Sequence, residues 1–435
     1  MKHAAPASEA GSITVVWQKV ITYILITLVG FNLRSVLLGV PPVLPLIQHD
    51  LGLSYTATGF LTALPVLVLA VGAWPSGLLA ERIGARLSVS IGLALLATGT
   101  LLRAFRLTTP SLFFFTLILS IGITLSQTAI PVLIRRWYPK QIGLASALFS
   151  DGLILGEAVA AGITVLIMVR FLGSDAWAST FVFWGIPAVV LFALWLWLAP
   201  PAPAKVSRPH FTRPAKSLDV NSPIQRKRVN ALHLGILVGG GSLIYFGMNA
   251  WIASYNQALH QSYLTPVALL SLNAAQLPVS LAVTLVAQQI VGRRWPFIAA
   301  GIISALAIIG WIFTPAELQP LWAALLGGSG ALVFTLGIAL PPLLALPQEV
   351  GRLTGITLSL TYGVAFVGPF IGGALWDLFN LPAMAFVPVV IASVMLIVLG
   401  ALLPSRASFG IPGALRPTDK GENKQGAFTS TPPTT

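Results

Sequence analysis

"VGFNLRSVLLGVPPVLP", residues 29–45, sets one arginine, Arg34, in a run that is otherwise apolar or small. The run is long enough to cross a bilayer, which takes about 20 predominantly apolar residues. A guanidinium cannot shed its proton to escape the hydrocarbon. At the middle of the membrane it costs at least ~2.5–3.5 kcal/mol on insertion scales. Arg34 lies 15 residues beyond Lys19, hence ~22 Å deeper at the helical rise, slightly past the midplane. A charge placed there needs a partner.

The composition around this stretch recurs along the chain. Of 435 residues, 56% are hydrophobic and only 9% charged, against about 25% charged in soluble domains. Runs of spanning length occur at about 18–47, 54–80, 87–106, 110–137, 141–169, 176–199, 230–258, 264–290, 295–314, 318–346, 352–376 and 381–403. Between the sixth and seventh, "PPAPAKVSRPHFTRPAKSLDVNSPIQRKR" (200–228) is Pro-rich, basic and poor in large apolar residues. The expectation is an all-α membrane protein of twelve transmembrane helices in two six-helix bundles, 18–199 and 230–403. A cytoplasmic N-terminus (1–17), a cytoplasmic linker (200–229) and a disordered cytoplasmic tail (404–435) complete the expected organisation.

Charge placement orients the chain. With the N-terminus inside, 21 of the 25 basic residues fall on the linker side, leaving Arg34, Arg103, Arg106 and Arg170. The positive-inside rule then puts both termini and the linker in the cytoplasm. Basic flanks facing anionic lipid explain the net charge of +13 without nucleic acid. Cysteine is absent, and His3, His49, His210, His233 and His260 lack ligand spacing, so neither metal nor cofactor is expected. The clustered acids and histidines of a membrane enzyme, and the soluble output domain of a sensor, are missing. No G-x-x-x-x-G-K-[ST] loop is present either. These absences point to a transporter, expected to work as a monomer, driven by a solute or proton gradient or by none.

The halves echo each other at an offset of 211 residues, which maps Pro131 onto Pro342, Gly152 onto Gly363 and Gly162 onto Gly373. Parallel repeats of this kind hold the substrate near the midplane between halves. The same offset maps Arg34 onto Tyr245. Asn249 lies one turn further along the helix and can face the same way.

The loop after span two, "GLLAERIGARLS" (77–88), resembles the G-x-x-x-D-R-x-G-x-R signature of the major facilitator superfamily, with Glu81 in the usual place of Asp. Gly77 suits close helix packing and Gly84 a tight turn. Glu81, Arg82 and Arg86 can form a charge cluster that latches the halves in one conformation. "GVAFVGPFIGGALWD" (363–377) and its weaker relic "GLILGEAVAAG" (152–162) supply small residues for close helix approach. Within the superfamily the chain resembles the cyanate and 2-nitroimidazole transporter family. "FNLRSVLLGVPPVLPLI" (31–47), "FLTALPVL" (60–67), "SQTAIPVLIRRWYP" (126–139) and "GPFIGGALWD" (368–377) carry that resemblance. It implies the major facilitator fold, alternating access, and a first span that lines the central cavity. Asp151 and Glu157, in a fifth span that is Gly- and Ala-rich in the family, depart from the pattern.

Three roles for Arg34 stay open. It can bind an anionic or hydrogen-bond-accepting solute, which a planar five-donor fork suits. It can pair with Glu157, at comparable depth in a neighbouring span, or snorkel to the outer interface. Tyr245, Asn249 and Gln127 are further substrate-binding candidates, with Asn273 and Tyr362 behind them. Glu157 and Asp151 are candidates for proton coupling. Prolines 41, 42, 45, 65, 131, 341 and 342 permit bends. The leading function is transport of a small polar or anionic organic solute; the alternative is proton-coupled efflux of amphipathic compounds.

Overall fold

The computed structural model describes residues 7–105, 108–139, 141–164, 176–201, 231–290, 292–344 and 350–403. Apart from Pro200 and Pro201, the expected linker lies outside the described residues, as do residues 1–6 and the tail from 404. Among the described residues there are helices and no strands, and twelve spans are long and apolar enough to cross a membrane.

In the first half, α1 (Ala7–Leu38) is followed by α2 (Leu44–Leu51), α3 (Tyr55–Ile83), α4 (Ala85–Leu102), α5 (Thr109–Trp137), α6 (Ile142–Ile163) and α7 (Ala176–Leu198). The second half comprises α8 (Ala231–Ala258), α9 (Thr265–Ala274), α10 (Gln276–Ile290), α11 (Trp295–Phe313), α12 (Gln319–Leu344), α13 (Val350–Phe379) and α14 (Val387–Leu402).

Two expected spans are broken, both by proline. Pro41 and Pro42 lack the N–H groups that would continue α1, and the chain passes through a 3-10 turn, Pro41–Val43, into α2. In the eighth span, Pro278 cannot donate to the carbonyl of Ala274, and α9 gives way to α10 at Ala275. The turn expected at Gly84 is present: its φ of +95° ends α3, and α4 starts at the next residue.

Glycine sets how closely the site-bearing helices approach. A Cβ on Gly152 or Gly156 of α6 would collide with the backbone carbonyls of Thr27 and Phe31 on α1. With α1 and α6 nearly touching, Glu157 is carried against the α1 face that holds Arg34.

The halves meet along α3 and α13, and again along α6 and α9. On the face opposite the linker, Asp377 of α13 caps the start of α3, accepting from Tyr55 N at 2.9 Å, Thr56 N at 2.7 Å and Thr56 Oγ1 at 2.5 Å. A Cβ on Gly59 would strike the Pro369 carbonyl, and one on Gly373 the Tyr55 carbonyl. Further toward the linker face, Gly77 on α3 and Gly355 and Gly363 on α13 have no neighbour within 4 Å of an added Cβ. This conformation is sealed opposite the linker and looser toward it.

Candidate functional site

Arg34 is buried within the protein, not extended to an interface. Its Nε lies 3.3 Å from Glu157 Oε1, and each side chain is only 6% exposed. The pairing satisfies charge better than direction. Neither Nε nor Nη1 of Arg34 makes a hydrogen bond, although both are shut off from solvent. The guanidinium lies over the Phe246 ring, 5.8 Å from its centroid.

The second half surrounds this pair with polar groups. Gln276 Nε2 donates to Glu157 Oε2 at 3.1 Å. The Tyr245 hydroxyl donates to Asn273 Oδ1 at 2.6 Å, and Asn273 Nδ2 donates to Asn249 Oδ1 at 2.9 Å. Asn249 Nδ2 returns to the Tyr245 carbonyl at 3.0 Å, closing the circuit. Tyr245 also neighbours Glu157 and Gln276, and Arg34 is flanked by Tyr245 and Tyr362. Across the halves, Gln127 Nε2 donates to the Tyr362 hydroxyl at 3.0 Å, while Gln127 Oε1 stays unengaged. Arg34, Gln127, Glu157, Tyr245, Asn249, Asn273, Gln276 and Tyr362 thus form one cluster shared by both halves.

Gln276 was not foreseen, and Asn273 and Tyr362 carry more of the network than their sequence positions suggest. The signal was Pro278: a break inside an apolar span, with Asn273 and Gln276 flanking it, turns both amides inward. Such broken spans are where transporters assemble midplane sites.

The other expected residues lie apart from the cluster. Asp151 is half-buried on α6 and makes no hydrogen bond or ion pair among the described residues. Glu81 and Arg82 are exposed. Arg86 donates from Nη2 to the Leu196 carbonyl at 3.3 Å. No ion pair joins these three residues, and the close packing expected at Gly77 is not made in this conformation.

Beyond Arg34, toward the sealed face, a small cleft opens among Leu37, Leu61, Arg103, Phe246 and Asn249. A buried charged cluster shared by two six-helix halves, with a cleft beside it, is the arrangement of a membrane transporter.

The chain belongs to the Major Facilitator Superfamily, whose family model matches residues 21–316. It is 28% identical over 355 residues to the cyanate transport protein CynX of Escherichia coli K12, covering 81% of this chain and 89% of that one. Its identity to the 2-nitroimidazole transporter of the same organism is 27% over 361 residues, 81% of this chain and 87% of that one. Among solved structures, a D-xylose–proton symporter shares the fold with a TM-score of 0.72 at 14% identity, covering 88% of this chain and 96% of that chain. The protein is a multi-pass membrane transporter of a small-molecule substrate, working by alternating access.

Proposed function

We propose that the solute is a small anionic or polar organic molecule, cyanate-like or nitroheterocycle-like, recognised by Arg34. One observation carries this reading: a buried guanidinium paired to Glu157 yet with two nitrogens lacking hydrogen bonds. An oxyanion or nitro group can take those donors and compete with Glu157, leaving the carboxylate to Gln276 and Tyr245. If Glu157 then takes up a proton, solute and proton movements are coupled; if it stays ionised, transport is facilitated. Asp151 is the second coupling candidate. Gln127, Asn249 and Tyr245 complete the recognition surface. The solutes for which the two relatives are named, cyanate and 2-nitroimidazole, fall in the same chemical range. The apolar walls of the cleft favour a second reading, efflux of amphipathic compounds.

Thermal-shift screening of the purified protein against cyanate, small carboxylates, 2-nitroimidazole and amphipathic cations separates the two. A ligand at a hundred times its Kd stabilises the native state by ~2.7 kcal/mol. Stabilisation by cyanate or 2-nitroimidazole that Arg34→Ala removes is expected. Stabilisation by amphipathic cations alone would favour efflux.

We further propose that both termini and the linker are cytoplasmic and that the protein acts as a monomer. The chain has no native cysteine, so a single cysteine at position 213 reports orientation cleanly. It should resist impermeant maleimide in intact cells and react after lysis; labelling in intact cells would invert the topology.

The Gly77–Arg86 loop is proposed to act as a latch in the other conformation, where the linker face closes. Arg82→Ala and Arg86→Ala should then slow transport at saturating solute while leaving affinity in detergent within about twofold, since no direct contact with the solute is lost. A tenfold fall in affinity with normal maximal transport would assign these residues to binding instead.

A further inference from the structure

We infer that Arg103 forms a second anion-binding station, taking a carboxylate or similarly planar monoanion in the cleft between the Arg34 cluster and the sealed face. Arg103 follows α4 directly, and its residue exposure is 5%. No carboxylate lies within ion-pair distance of it among the described residues. Its guanidinium rests on the Phe181 ring, 4.3 Å from the centroid, a contact that engages the π face and leaves the N–H donors in the guanidinium plane free. Nε and Nη2 have no hydrogen-bond partner. These two nitrogens share one edge of the guanidinium, the edge that matches the paired oxygens of a carboxylate.

The other polar side chains of the cleft are largely committed, and only the second N–H of the Asn249 amide is spare. Thr62 donates to the Gly59 carbonyl at 3.0 Å, Thr116 to that of Leu112 at 2.7 Å, and Asn249 Nδ2 to that of Tyr245. The walls are otherwise apolar. A ligand entering this space therefore meets one cationic donor group, Arg103, and one spare amide N–H, that of Asn249. Phe246 lines the cleft and also underlies Arg34, so the station adjoins the main site. An anion released from Arg34 toward the sealed face, or arriving from it, would be held at Arg103 on the way. That purpose rests on the transport reading above; the chemistry rests on Arg103 alone.

Binding of radiolabelled formate to full-length protein in nanodiscs, in chloride-free buffer, tests the inference. Arg34→Gln protein should still bind formate saturably, and adding Arg103→Gln should weaken that binding at least about tenfold, because the fork is gone. Arg103→Lys, which keeps the charge, should lose formate almost as completely while still binding radiolabelled chloride as the Arg34→Gln protein does. This variant also serves if Arg103→Gln does not fold. Loss of all formate binding in Arg34→Gln protein, formate binding indifferent to Arg103, or binding of chloride alone would each overturn the station. Formate binding that is indifferent to Arg34 but abolished by Arg103→Gln would uphold the station while defeating the reading of Arg34.

Discussion

Exchanging Arg34 for lysine is expected to reduce solute uptake into proteoliposomes roughly a hundredfold, nearly as much as exchanging it for alanine. Lysine keeps the charge facing Glu157 but loses the planar fork. Two charge-assisted hydrogen bonds to the solute at ~1.5 kcal/mol each amount to that factor. The two variants should differ in stability. Alanine strands the buried Glu157 carboxylate, which costs ~3–5 kcal/mol unless it takes up a proton; lysine does not. Uptake by Arg34→Lys protein within about threefold of wild type would mean that charge alone suffices, and that the fork has no part in recognition.

The second large effect concerns the sealed face. Gly373→Val is expected to stop transport, because its Cβ would meet the Tyr55 carbonyl of the other half, and a backbone atom in a helix cannot step aside. Overpacking of this kind costs ~1–3 kcal/mol. The part of that penalty set by Tyr55 falls on one conformation only and shifts the balance of states by up to roughly 150-fold; the contact with Trp251 Cζ2, in the same half, does not distinguish the conformations. Gly59→Val should act alike through Pro369. A cysteine at Thr62, beside the cleft, should become reactive to an impermeant thiol reagent added from that face. Unchanged reactivity together with normal transport would show that α3 and α13 do not form the closure.

Much of this was legible in the sequence, for reasons particular to membranes. Charges in spans are so few that Arg34 had a single carboxylate at comparable depth, Glu157, and the ion pair is present. The offset between halves pointed from Arg34 to Tyr245, which is its neighbour. Helix breaks were harder to read. Pro41 and Pro42 announced one, but the break before Pro278 passed unnoticed, and Gln276 with it. Arg103 counted as a basic residue near the outer end of its span; its burial depends on how Phe181 and the cleft pack around it, which no local pattern encodes. Asp377 looked like the end of a small-residue motif. Its role as a cap on α3 becomes apparent only when it is brought to Tyr55 and Thr56, 322 and 321 residues away in sequence. The latch residues are the reverse case, recognisable by motif and unengaged in the conformation at hand.

The central claim is that Arg34 recognises the solute and does more than balance Glu157. Removing both charges separates these roles. Arg34→Ala combined with Glu157→Gln should restore the melting temperature lost in Arg34→Ala alone, because no carboxylate remains stranded. The deciding measurement is equilibrium binding of cyanate and 2-nitroimidazole to that double variant in nanodiscs. Recovered stability with binding still absent is the predicted result; recovery of stability, binding and transport together would make Arg34 and Glu157 a structural pair and contradict the account.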